Sequence, residues 1–369
     1  MALVLTQDEV MLVDAARGLL NREAPVTAFR AMRDSGDPLG YDPALLKRLA
    51  ASGFVAPNVA EADGGVGMGA SAAGLIMEQA GHVLAAAPFL TAAMAACLIS
   101  KTADAAQASE LLPTLIAGQR IIAPALDEAA RHDPQVLRTR AEWNDEKWLV
   151  TGRKTAVMDG FGADAYIVSA QFQGEVALFL SDKRAPGLEV TRFASVDSRN
   201  YARLSLTDTP AIRLDQGEAG AAIAAALDLG RALLASELLG ICDEAFDRTV
   251  AYLKERRQFD RVIGSFQALQ HRAARLYARL DLARGVALAA LRSLDNGDAE
   301  ATWLASLSKA VMTRLSRELL VEAVQMHGGI GVTDAFDIGL FVKRARAAGD
   351  QLGDDYFHTE RLARDYWHI

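Results

Sequence analysis

The sequence predicts an α+β multidomain chain in which a helical segment, a β segment and a second helical segment follow one another. Apolar residues recur at helical spacing up to about residue 118, and short β-rich runs broken by turn formers fill residues 120–213. Long helical patterns then return after Gly217. At 369 residues the chain has room for two or three domains. Hydrophobic residues make up 51% and charged residues 23%, enough apolar material to exclude a disordered polymer. These readings place boundaries at 1–118, 119–215 and 216–369.

The opening helix is signalled by Thr6 with Glu9 three residues on, a capping box, and by Val10, Val13, Ala16 and Leu20 on one face. Further helices are expected over Pro43–Ala51, Ala70–Leu84, Pro88–Lys101 and Ala103–Leu112, the last ending near Pro113. The β segment offers Lys147–Thr151, Ala163–Gln171, Glu175–Ser181, Leu188–Phe193 and Ala202–Leu206. Strands so closely spaced, without helices between them, predict a small antiparallel barrel or sandwich. Glu218–Lys254, Ser265–Asn296 and Asp298–His327, with a shorter C-terminal pair, exceed ordinary helix length and predict a bundle, packed on itself or on a second subunit.

Composition excludes several function classes. The net charge of −8, with no Lys/Arg block, argues against nucleic acid as a partner. No apolar stretch has the length of a membrane span, and Met1–Glu9 lacks the pattern of a secretory signal. The two cysteines, Cys97 and Cys242, lie in apolar helical contexts, which fits a reducing cytoplasmic setting. His82, His132, His271, His327, His358 and His368 show no ligand spacing, so no metal is expected. Two loose dinucleotide fingerprints, at Gly65–Ala70 and Gly160–Ala165, lack the βαβ context that gives that motif its mechanism.

Two segments carry chemistry. Tyr252–His271 reads as an Arg-rich helix end, a turn at Val262–Gly264 and a new helix capped by Ser265. Arginine at such a junction suits bidentate contact with pyrophosphate, and Gln267 supplies both donor and acceptor. Ala323–Thr333 reads as a helix ending in Gly328-Gly329, where backbone can approach a ligand closely. Singly, each favours the plainer reading, Arg256 and Arg257 as a solvated face and the glycines as an ordinary helix cap.

Together, at this spacing and in this domain order, the two segments resemble the acyl-CoA dehydrogenase family, and the likeness spans the chain. It includes Leu112–Gly118 ahead of the β segment, Trp148–Lys154 within it, and Ala163-Asp164 before a strand. The resemblance implies an N-terminal all-α domain, a middle antiparallel β-barrel and a C-terminal four-helix bundle, with FAD between barrel and bundle. It further implies an oligomer, an acyl-CoA substrate and an electron-transfer flavoprotein as acceptor. By the same resemblance Arg256 and Phe259 contact FAD across a subunit interface. Gln267, Gln325, Gly328 and Gly329 contact its adenosine and pyrophosphate portion, Ile263 lies on the adenine, and Val157 and Met158 lie beside the isoalloxazine ring. Such residues bind and orient a cofactor that itself carries the redox chemistry.

The sequence departs from the family at the catalytic base, which removes the acyl α-proton. Most members place a Glu in the segment matching Gly349–Asp355, and here that position is Leu352. A minority place it on the first long C-terminal helix, where this chain has Gly230. No catalytic residue is therefore assigned. Asp350, Asp354 and Glu237 are conceivable substitutes, Glu237 lying about 10 Å along the helix from Gly230. Equally, the aspartates fit a solvated turn or helix cap, and Glu237 a buried pair partner for a basic side chain. The first β region also changes: Ile122–His132 replaces the family's loop that contacts flavin and substrate.

These losses resemble the heteromeric bacterial members, in which one chain carries the base and its homologous partner completes the FAD site. That predicts a subunit supporting α,β-dehydrogenation of an acyl-CoA with a partner's base. The rivals are a self-sufficient homo-oligomer with a relocated carboxylate, and a flavoprotein of this fold without dehydrogenase chemistry. The Ala-rich segments Ala87–Leu98 and Ala226–Leu239 are read either as room for a bulky or branched acyl group or as close helix packing.

Overall fold

The computed structural model describes residues 3–214 and 218–367; the expected boundary at 215/216, Gly217 and His368 lie outside them. Six helices come first: α1 Gln7–Glu23, α2 Val26–Ser35, α3 Pro43–Ala51, α4 Gly69–Val83, α5 Phe89–Thr102 and α6 Ala105–Ile116. Seven strands follow: β1 Ile122–Ala125, β2 Arg140–Asn144, β3 Lys147–Met158, β4 Ala165–Phe172, β5 Glu175–Asp182, β6 Leu188–Phe193 and β7 Tyr201–Leu214. Then come α7 Ala219–Glu255, a hairpin of β8 Arg257–Gln258 and β9 Arg261–Val262, and α8 Gln267–Asn296. Helices α9 Ala301–His327, α10 Ile338–Asp350 and α11 Asp355–Trp367 close the described chain.

Local chemistry explains most of these elements. The Thr6–Glu9 capping box is formed in both directions, and α1 buries Val13, Ala16 and Leu20, while Val10 is 45% exposed. Helix α2 was not anticipated, since only its Val26 and Phe29 are buried and its remaining face is polar. Helix α6 does not stop at Pro113 but runs through it to Ile116. Its capping box at Asp104 and Gln107 and its buried Leu111, Leu112 and Leu115 outweigh the lost proline N–H.

The residues pack as two compact units. One comprises, among the described residues, 30–73, 86–214 and 218–230 and contains the β region. Its sheet runs β1-β4-β2-β3-β7-β5, β4 also pairs with β5 to close the ring, and β6 lies on β7. The ring is antiparallel except that β1 runs parallel to β4 and Arg140 pairs in parallel with Gln171. Strands β3 and β7 outrun their sequence expectations because they pair along nearly their whole lengths, with irregularities at Val150/Gly152 and Lys154/Val157. The second irregularity places Ala156 at φ 50° and turns the end of β3 toward Val157 and Met158.

The other unit comprises, among the described residues, 3–29, 74–85 and 231–367. Within it the C-terminal half of α4 crosses α7 with no side chain between them. A Cβ on Gly81 would overlap the carbonyl oxygen of Glu237, and one on Gly240 would overlap that of Glu78. Close helix packing is thus the reason for the small residues at this crossing. Leu233, Leu234, Ala235 and Leu238 are fully buried on α7 beside it.

Candidate active site

The Arg-rich segment forms a structured spur at the end of α7. The Arg256 amide donates to Tyr252 O at 2.9 Å, and its carbonyl accepts from the Ile263 amide at 2.8 Å. Between them β8 and β9 pair around a turn in which Phe259 and Asp260 both adopt positive φ, 53° and 60°. Neither is glycine, so the segment carries no hairpin signal in its residue types. Ser265 does not cap α8: its hydroxyl donates to Val262 O, and Phe266 occupies the cap position without a side-chain bond. Phe259 is 84% exposed, and Arg261 stacks over Phe266 at 4.5 Å.

The glycine segment meets this spur through aromatic packing. The Tyr252 ring lies 4.6 Å from His327, and His327 lies 4.8 Å from Phe336. The end of α9, and with it Gln325, Gly328 and Gly329, therefore stands beside the end of α7. Gly328, at φ 66°, breaks the helix, and a Cβ on Gly328 or Gly329 would meet nothing within 4 Å, so both present open backbone. Arg256, Gln267 and Gln325 are exposed, and their side chains make no hydrogen bond or ion pair with another described residue. His327 donates from Nδ1 to Ala323 O at 2.7 Å, while its Nε2 is buried with no partner. Burial lowers the pKa of this imidazole and keeps it a neutral acceptor. Donor-rich side chains, open glycine backbone and an orphaned acceptor in one place fit the adenosine and pyrophosphate portion of a dinucleotide. Ile263 is half-buried where β9 meets the following 3-10 turn.

In the β-containing unit Val157 is buried and Met158 half-buried at the end of β3. The Asp159 carboxylate beyond them accepts from the Thr91 hydroxyl, and the Thr155 hydroxyl donates to Ala129 O at 2.9 Å. This last bond pins the Ile122–His132 segment to β3, where Asp127 and His132 pair at 2.9 Å.

At the expected base position Leu352 is buried, with φ 53°. Its carbonyl accepts from Arg231 Nε at 3.3 Å and from His358 Nε2 at 3.1 Å. The conceivable substitutes all have other partners. Glu237 and Arg344 form a bidentate pair at 2.7 and 2.6 Å, with side chains only 5% and 8% exposed. Asp354 accepts from the Phe357 amide at 2.8 Å and so caps α11. Asp350 lies exposed and pairs with Arg346 at 3.2 Å.

One grouping escaped the sequence reading. Glu78 and His82, four residues apart on α4, face Asp243 of α7. Arg284 bonds Glu78 at 2.6 Å and also pairs with Asp243, so a guanidinium knits the three helices where ligand atoms converge. The i,i+4 spacing was its only local signal.

Comparison with known proteins agrees with this architecture. Residues 6–119 match the model of the acyl-CoA dehydrogenase N-terminal domain, and residues 219–366 that of the acyl-CoA dehydrogenase C-terminal domain. "Acyl-CoA dehydrogenase IpdE2" of Mycobacterium tuberculosis is 29% identical over 363 residues, 98% of each chain. The solved "Tcur3481-Tcur3483 steroid ACAD G363A variant" is 28% identical with a TM-score of 0.90, covering 98% of each chain. Butyryl-CoA dehydrogenase from Megasphaera elsdenii shares the fold at a TM-score of 0.91 and 22% identity, covering 100% of each chain. Among the described residues no helix is long and apolar enough to cross a membrane. The chain belongs to the acyl-CoA dehydrogenase family, FAD-dependent oxidoreductases that act on CH–CH groups of acyl-CoA thioesters.

Proposed function

We propose that this chain is a non-basic subunit of a heteromeric acyl-CoA dehydrogenase, whose homologous partner supplies the carboxylate that removes the α-proton. The observation that carries this reading is the 349–355 turn. Leu352 stands at the base position, Asp354 is spent on a helix cap and Asp350 on an exposed ion pair. Glu237 turns both oxygens onto Arg344, so accepting a substrate proton would break a buried pair.

The residues fitted to FAD keep their roles in this reading. Arg256 and Phe259 make the contact across an interface, Gln267 and Gln325 bind the adenosine and pyrophosphate portion, Gly328 and Gly329 admit it to the backbone, and Ile263 lies on the adenine. Val157 and Met158 cover the isoalloxazine ring. FAD, when bound, accepts the hydride that leaves the β-carbon. An electron-transfer flavoprotein serves as the acceptor of the electrons. The 28% likeness over 98% of the chain to a protein named as a steroid ACAD supports a bulky, ring-bearing acyl group.

The test is anaerobic flavin bleaching by a panel of acyl-CoAs, short-chain and steroid-derived. It compares the chain alone with the chain co-expressed with a homologue that carries the Glu. Bleaching only in the mixed complex, unaffected by Glu237→Gln or Asp354→Asn in this chain, is the expected result. Bleaching by the chain alone that either substitution abolishes overturns the reading in favour of a relocated base.

A further inference from the structure

Lys309, on α9, is wholly buried, yet no described carboxylate lies within ion-pair distance of its ammonium. Its Nζ donates to Gly349 O at 2.7 Å, Gly353 O at 2.9 Å and Thr313 Oγ1 at 3.2 Å. The first of these carbonyls belongs to the last turn of α10, where helix geometry leaves acceptors without partners. The second lies beyond it, before α11. Three donors meet three acceptors, and the two carbonyls bracket Leu352.

The carbonyl of Leu352, between them, is also held by basic side chains, since it accepts from Arg231 and His358. His358 Nδ1 is buried without a partner, which matches an imidazole protonated only on Nε2. Helices α7, α9 and α11 thus each direct one nitrogen base at the same short connection. An apolar side chain filling the same space would hold none of these carbonyls.

We propose that Lys309 is a positioning residue for acyl-CoA binding: its ammonium ties the end of α10 to Gly353 and fixes how the turn presents position 352. This rests on the reading that the turn lies at the reacting carbon. The groups facing the ammonium are Arg231 from α7, Asp350 from α10, Asp354 from the turn, and Asp355 and His358 from α11. Asp355 is itself paired with Arg317 at 2.9 Å. Burial draws the Lys309 pKa down to about 7, Asp350, Asp354 and Asp355 oppose that, and Arg231 adds to it. Between that pH and the ordinary 10.5 an opened turn binds a proton that the closed one does not, so closure is favoured as the pH rises.

Two readouts test the clasp. Amide exchange at residues 350–355, corrected for intrinsic rate, is followed from pH 6 to 9 in the full chain. Protection in the original protein rises with pH above about 7, and Lys309→Met lowers it about tenfold at pH 6 with no pH dependence left. In the mixed complex Lys309→Met raises KM for acyl-CoA about tenfold while kcat stays within about twofold. Unchanged exchange at 350–355 and unchanged KM in Lys309→Met overturn the proposal, as does an equal loss of protection in all five C-terminal helices. If Lys309→Met does not fold, Thr313→Val and the pH profile of the original chain decide: protection constant from pH 6 to 9 in both sinks it. A mixed complex that no acyl-CoA bleaches refutes the functional reading alone, and the exchange profile still judges Lys309.

Discussion

Replacing Glu237 by Gln separates a structural carboxylate from a catalytic one. In the folded chain Glu237 gives both oxygens to Arg344, at 2.7 and 2.6 Å, and neither side chain is more than 8% exposed. Removing one partner of such a pair leaves a buried charge uncompensated and costs about 3–5 kcal/mol. With an unfolding entropy of about 2.1 cal/mol/K per residue, a 369-residue chain melting as a whole has roughly 0.8 kcal/mol/K, so the midpoint drops by about 4–6 °C. The double variant Glu237→Leu/Arg344→Met recovers most of that loss, because two apolar groups of similar volume leave no charge behind. The assay is calorimetric or circular-dichroism melting of the purified chain, with flavin bleaching in the mixed complex measured alongside. A melting point unchanged within about 1 °C together with abolished bleaching would refute the reasoning, because it would make Glu237 a base and not a brace.

Three further outcomes follow from the same geometry. Lys154→Met removes the ammonium at 2.7 Å from the buried Glu128, leaves its charge with only the Arg138 and Thr139 amides, and costs about 3–5 kcal/mol, read as a lower urea midpoint. Gly240→Ala forces α4 away from α7 and destabilises by about 1–3 kcal/mol or more, read by melting, whereas Gly339→Ala, which meets nothing within 4 Å, changes little. For pH, Lys309 titrates at about 7 when folded against an ordinary 10.5, so the unfolded chain binds the extra proton between those values. Its contribution makes stability rise with pH across that window, and Lys309→Met flattens the rise. Glu128 behaves oppositely. Burial raises its carboxyl, but the hydrogen bonds from Lys154, Thr139 and Arg138 and the Lys154 charge together outweigh that and leave it below the ordinary value. The stability it supplies is present above about pH 4.5 and is lost as pH falls through its lowered folded pKa.

Features that depend on neighbours within one helical turn were readable in the sequence. The Thr6–Glu9 box, the order of helices and strands, and the glycine break after His327 all follow from spacing of three to four residues or from residue type. The expectation that Leu352 stands at the family's base position rests on the flanking Gly353 and the upstream Gly-rich motif, which set the alignment. What escaped was long-range. The sequence allowed Glu237 to be a buried pair partner for a basic side chain, but Arg344 lies 107 positions away and no local rule names it. The hairpin at Arg257–Val262 escaped because Phe259 and Asp260 adopt positive φ without glycine, held by the packing of Phe259 and Arg261 on Phe266. Pro113 misled for the converse reason, since three buried leucines keep α6 helical through a residue that locally disfavours it.

The crossing at Gly81 and Gly240 constrains how this chain is able to evolve. Where a side chain obstructs a new methyl group, a second mutation that trims the obstacle restores the fit, and the two positions drift together. Here the obstacles are the main-chain carbonyls of Glu237 and Glu78, which every residue carries. No compensating substitution on the facing helix removes them. A lineage that loses either glycine regains the fit only by reversion or by separating the two helices, and such a separation would also disturb the Arg284 link between Glu78 and Asp243.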